Sequence, residues 1–196
     1  MTGLMRKLYD WVLSWSKNPY AIWALGVLAF VESSFFLVPP DVLLMALCLS
    51  KPDSAWRCAL VCSVGSVLGG IFGYYIGFFV FDGIGLPILE FYGAMDKYEW
   101  LSQFYQKYDA IVVFIAGFTP IPYKVFTISA GVFHVNFLVF ILASIVSRSL
   151  RFLIIAALLH YYGDLMKGLI DKYFGVLSYV FILLLIGGFM LLRTVL

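Results

Sequence analysis

The sequence predicts an all-α, polytopic membrane protein: two re-entrant broken-helix hairpins in an inverted-repeat arrangement, with spanning helices and interfacial amphipathic helices around them. Three observations carry this expectation. Of 196 residues, 63% are hydrophobic and only 12% are charged, about half the charge of an ordinary soluble domain. Uncharged runs of 24, 23 and 20 residues occupy 58–81, 125–147 and 173–192, and about 20 apolar helical residues cross a bilayer core. Two further apolar segments, 19–50 and 110–135, are interrupted by prolines. This composition excludes a secreted disulfide scaffold, a disordered chain and a soluble nucleic-acid binder.

Taken in chain order, residues 1–18 are expected to form an interfacial helix. Leu4, Leu8, Trp11 and Trp15 share one face, and the stretch is too short to span. No cleavable signal peptide is expected. A membrane domain over 19–165 follows. Its first hairpin, 19–50, breaks at Pro39 and Pro40, and its second, 110–135, breaks at Pro120 and Pro122. Proline removes a helical hydrogen bond and clashes with the preceding turn, so each segment reads as two half-helices. Broken backbone at membrane depth must be buried in protein or line a wet cavity.

Spanning helices are expected over 55–81 and 136–162, the second tolerating Arg148 and Arg151. A surface helix is expected within 88–107, and a C-terminal spanning helix within 166–196. Pro39 and Pro120 are 81 residues apart, as are the expected starts of the helices that follow, near Trp56 and Phe137. This organisation matches inverted-repeat transporters, whose sites lie near the midplane. Gly65, Gly69, Gly70, Gly73 and Gly77 supply small-residue spacing for close helix approach, expected within the chain. Arg6, Lys7, Lys17, Lys51, Arg57, Lys167 and Lys172 fall on one side and Lys97, Lys107 and Arg193 on the other, which predicts a cytoplasmic N-terminus.

Five charges lie at membrane depth in this reading: Glu32, Asp41, Lys124, Arg148 and Arg151. Left unpaired, they would cost roughly 12–17 kcal/mol at about 2.5–3.5 kcal/mol each, so partners or ligands are required. Asp41 also has a structural reading, as an acid opening a helix after proline, and Lys124 could snorkel from a hairpin tip. Arg148 and Arg151, three apart, share a helix face. With both acids ionised, the five sum to one surplus positive charge. Arginine's planar fork suits phosphate, and helix N-termini attract anions. Arg148, Arg151 and Lys124 are therefore the candidate lipid-phosphate ligands. Glu32 and Asp41 are the candidate proton-coupling acids, exchanging a cation for a proton as phosphate binds.

Cys48, Cys58 and Cys62 read as small buried hydrophobes, and no metal or cofactor is expected. His134 and His160 read as interfacial or hydrogen-bonded residues. No nucleophilic triad, phosphate loop or zinc motif appears, so no enzymatic activity is expected.

At VESSFFLVPPDVLLMAL (31–47), GSVLGGIFGYYIG (65–77), GFTPIPYKVFTISAGVF (117–133) and SRSLRF (147–152), the chain resembles the DedA family of bacterial inner-membrane proteins. These share the SNARE-associated or VTT domain, and the likeness is greatest to the YqaA-like branch. The resemblance covers about residues 20 to 165. It implies two re-entrant hairpins packed tip to tip and lipid movement across the bilayer, with undecaprenyl phosphate and phospholipids as proposed substrates and dependence on proton-motive force in some members. Glu32 and Asp41 match the family's first-hairpin acids. Many members carry arginines flanking the second-hairpin proline, where this chain has Gly117 and Tyr123, leaving Lys124 as the nearby cation.

The expected function is a flippase or transporter for an anionic, phosphorylated lipid, with membrane lipids and protons as partners, no nucleic acid, and a homo-oligomer left open. The expected location is the bacterial inner membrane. A non-transporting scaffold held by an ion-pair lattice, or an uncoupled scramblase, are the alternatives.

Overall fold

The structure, a computed structural model, describes residues 20–35, 39–85, 87, 95–119 and 121–163. The expected N-terminal helix, the C-terminal spanning helix and Pro120 lie outside the described residues. Every element within them is helical.

Helix α1 runs Ala21–Ser34 and α2 runs Asp41–Ser50. Pro39 and Pro40 separate them, and Pro40 stands immediately before α2, where its missing N–H costs nothing. Asp41 then occupies the first turn, where the exposed N–H groups favour an acid. A short 3₁₀ turn, Pro52–Ser54, leads into α3, Ala55–Val80. Helix α4 runs Met95–Phe118, α5 runs Tyr123–Val132 and α6 runs Phe137–Gly163.

One boundary differs from expectation. The surface helix read within 88–107 and the first arm of the second hairpin are parts of one helix, α4, bent at Tyr108 (φ −124°, ψ 22°). Polarity changes there, but no glycine or proline falls between 95 and 116 to stop the backbone.

Helices α3 (with its leading turn) and α6 are each long and apolar enough to cross a membrane, at 29 and 27 residues. Their faces are sorted against the pattern of a soluble bundle. Leu60, Val64, Leu68, Phe72, Tyr75 and Phe79 point outward from α3, while Cys62, Ser63, Gly65, Ser66, Gly69 and Gly73 point inward. On α6, Leu138, Leu142, Ile154 and Leu158 are exposed while Ser144, Ser147 and Arg148 are buried. Apolar outside and polar inside is the arrangement hydrocarbon selects.

The glycines of α3 face within the molecule. A Cβ on Gly69 would strike the Phe30 carbonyl of α1, and one on Gly77 would strike the Ile128 carbonyl of α5. Contacts order the helices: Gly26 meets Gly65 and Phe30 meets Gly69, so α1 runs parallel to α3. Tyr123 meets Gly70 and Ile128 meets Gly77, so α5 does too. Helix α6 runs the opposite way, since Phe137 packs on Tyr74 and Tyr75 while the His160 ring nitrogen lies 2.8 Å from the Pro52 carbonyl.

The turn into α6 holds His134 at φ 50°, a left-handed conformation, and the Tyr74 hydroxyl donates to the adjacent Val135 carbonyl at 2.7 Å. Asn136 caps α6 by accepting from the backbone N–H groups of Leu138 and Val139, the role its side chain favours.

Candidate functional site: paired charges at the helix breaks

Arg148 sits roughly 17 Å along α6 at 1.5 Å per residue, deep among helices and only 3% exposed. It donates through one terminal nitrogen to Glu32 Oε2 at 3.1 Å and to Ser33 Oγ at 3.5 Å. The other terminal nitrogen donates to the Gly117 carbonyl at 3.5 Å, and Nε donates to Ser66 Oγ at 2.5 Å. Tyr123 and Phe152 lie on the guanidinium, 4.8 and 4.9 Å from their ring centroids, an arrangement that stabilises a desolvated cation. Ser33 and Ser66 are themselves hydrogen-bonded at 2.7 Å.

Arg151, one turn on, repeats the pattern in a wetter setting. It donates to Asp41 Oδ2 at 2.5 Å and to the Thr119 carbonyl at 2.7 Å. The Arg151 and Asp41 side chains are 17% and 19% exposed. Asp41 Oδ1, by contrast, is shut from solvent and has no hydrogen-bond partner, alone among the buried side-chain polar atoms of the described residues.

Each arginine thus joins the same two pieces of chain. Glu32 ends α1 and Asp41 begins α2, so both acids flank the first break. Gly117 and Thr119 flank the end of α4, so both carbonyls belong to the second. Carbonyls at a helix C-terminus have no intrahelical donor, and here an arginine supplies one.

Of the five membrane-depth charges expected from sequence, the structure brings four together as two pairs. The fifth does not join them. Lys124, half-buried in the first turn of α5, has no ion pair among the described residues; the cations that take the acids are Arg148 and Arg151. The reason is geometric. Both acids face α6, and the α5 side chains that reach inward are Tyr123, against Arg148 and Ser144, and Thr127, against the Ser33 carbonyl. The surplus positive charge of the set resides on Lys124.

Ser33, Ser66 and the two carbonyls were not expected as site members. A signal existed for one neighbourhood: Ser63 and Ser66 recur as Ser144 and Ser147 at the same 81-residue offset as the prolines. Gly117 and Tyr123, the positions where the resemblance implies arginine, both touch Arg148. A Cβ on Gly117 would strike Ser147 Oγ and lie 3.5 Å from Arg148 Cδ, so the space a larger residue would need is already filled. Cys48, Cys58 and Cys62 lie in the apolar core shared by α1, α2, α3 and α6.

Fold and site together define a helical membrane protein organised around part-buried ion pairs. The VTT domain matches residues 38–161, and the chain belongs to this family, the DedA group of membrane proteins. It is 36% identical over 187 residues to an uncharacterized protein of Haemophilus influenzae, covering 95% of this chain and 97% of that one. It is 35% identical over 156 residues to an uncharacterized protein of Histophilus somni, covering 80% and 81%. No solved structure matches it significantly.

Proposed function

We propose that this chain moves an anionic, phosphorylated lipid across the bacterial cytoplasmic membrane, coupled to protons, as a YqaA-like member of its family. One observation carries the reading: each of two mid-helix arginines bridges an acid of the first broken segment and a carbonyl of the second. A phosphate is the ligand that competes for such a fork. Its arrival at Arg151 displaces Asp41 and loosens one break from the other, and the ammonium of Lys124, without an ion pair among the described residues, draws the head group in. Arg148, enclosed and with most of its donors committed, holds the fold while Arg151 exchanges partners.

The contacts along α3 support a re-entrant topology. Segment 21–50 leaves and regains the end of α3 where Pro52 lies. Segment 109–132 does the same at the end where Tyr74 and Gly77 lie. Two hairpins from opposite faces, each followed by an antiparallel long helix, make an inverted repeat whose tips meet at the arginines, the placement found in secondary transporters.

The test is movement of fluorescent phosphatidylglycerol, and separately of undecaprenyl phosphate, in vesicles reconstituted with the full chain, with and without a pH gradient. Wild type should exceed protein-free vesicles, Arg151→Ala should abolish the gain, Arg151→Lys should recover little, and Lys124→Ala should slow it. Wild type no faster than empty vesicles supports the scaffold reading instead. Movement indifferent to the gradient supports a scramblase. Unchanged rates in Arg151→Ala and Lys124→Ala refute the phosphate assignment.

A further inference from the structure

The two acids of the first break are not equivalent, and we infer that Asp41 is the single carboxyl that takes up the proton, on Oδ1, while Glu32 stays ionised as a structural anchor. The role of this proton in transport rests on the function proposed above; the assignment of its site rests on geometry.

Four contacts distinguish the pair. Glu32 Oε2 accepts from both Arg148 and Ser33. Its partner is buried at 3% exposure and fixed on its other edges by Ser66 and Gly117. Neutralising Glu32 would strand a guanidinium that has nowhere wet to go. Asp41 differs at each point. Oδ2 accepts from Arg151, and Oδ1 is buried with no donor. A buried carboxylate oxygen to which no N–H or O–H donates is a costly place for negative charge, even in the first turn of α2, where the helix N-terminus offsets part of that cost.

The charged and titratable groups facing Asp41 are Arg151 and Arg148 from α6 and Cys62 from α3. Glu32, from α1, is engaged by Arg148. Arg151 is the one cation of the two within reach of solvent, at 17% exposure against 3%, and it retains the Thr119 carbonyl when Asp41 becomes neutral. A proton on Oδ1 therefore releases the fork of Arg151 toward an anion without unpairing Arg148. Proton and phosphate arrive together: one neutralises the acid, and the other takes the acid's place on the arginine.

The experiment uses the full chain in phosphatidylcholine vesicles and two readouts. The first is infrared difference spectroscopy across a pH step, which reports the carbonyl stretch of a protonated carboxyl directly. The second is binding of phosphatidylglycerol, whose phosphodiester keeps its charge throughout, as a function of pH. Wild type and Glu32→Asp, which keeps the charge that pairs Arg148, should both show the protonated-carboxyl band at the same position. Both should bind about tenfold more tightly per unit fall in pH on the alkaline limb, the slope of one proton taken up per lipid. Asp41→Asn should lack the band and bind with no pH slope. A band that survives Asp41→Asn, or moves in Glu32→Asp, overturns the assignment. Should Asp41→Asn fail to fold, Asp41→Glu retains a carboxyl on a longer arm and must move the band and its midpoint; an unmoved band overturns the assignment equally. An Asp41-dependent band in a protein that moves no lipid supports the proton site and sinks the transport reading alone.

Discussion

Arg148→Met is the substitution whose cost the structure defines best. It removes a guanidinium 3% exposed that bonds Glu32 at 3.1 Å and is covered by the rings of Tyr123 and Phe152. Breaking a buried pair by deleting one partner costs about 3–5 kcal/mol, because the other charge stays behind. Ser66 adds little to this loss, since Ser33 remains bonded to it at 2.7 Å. Against a net stability of about 5–15 kcal/mol, the single variant should be severely weakened. Replacing both partners is different: exchanging a buried pair for apolar or neutral groups of similar volume is often neutral or better. Glu32→Gln combined with Arg148→Met should therefore recover most of the loss, giving a coupling energy of at least about 2 kcal/mol in a double-mutant cycle. Equilibrium unfolding of the purified chain in mixed detergent micelles measures all four corners. A cost below about 1 kcal/mol for Arg148→Met, or a double variant no more stable than the single, would refute the ion-pair reasoning.

Other substitutions probe the packing around the site in the same unfolding assay. Gly69→Ala drives a methyl into the backbone of α1 at Phe30 and should cost about 1–3 kcal/mol, whereas Gly83→Ala, with nothing within 4 Å, should stay within about 0.5 kcal/mol of wild type; equal costs would contradict the close approach. Asn136→Ala removes the cap of α6 and should lose about 1 kcal/mol, and no loss would mean the cap is idle. Tyr74→Phe deletes the bond to the Val135 carbonyl and should cost about 0.5–1.5 kcal/mol, against none if water replaces it. Replacing Cys48, Cys58 and Cys62 together by alanine should leave a folded chain. On that background, single cysteines at 20 and 53 should be labelled from the same side of the membrane, and labelling from opposite sides rules out the first hairpin.

The long helices were legible because hydrocarbon excludes charge: the uncharged runs at 58–81 and 125–147 overlap α3 and α6. The breaks were legible because proline acts locally, so Pro39, Pro40 and Pro122 mark the first break and the start of α5 without tertiary knowledge. Partner choice was not. Glu32 meets Arg148 across 116 residues and Asp41 meets Arg151 across 110, and nothing local sets which acid meets which cation. Lys124 looked equivalent to the arginines by charge, yet the facing of α5 separates it from the acids. The carbonyls of Gly117 and Thr119 had no signature at all, because a helix end becomes a ligand only when another helix brings a donor to it.

The pairing of early acids with late arginines also sets an order for biogenesis. Glu32 emerges from the ribosome 116 residues before the arginine that neutralises it. At about 5–20 residues per second, that interval is roughly 6–23 s. Through that time the first broken segment holds two acids that hydrocarbon rejects, and only the insertion of α6 relieves both. A chain cut before Arg148 leaves both acids of the first break without the arginines that pair them.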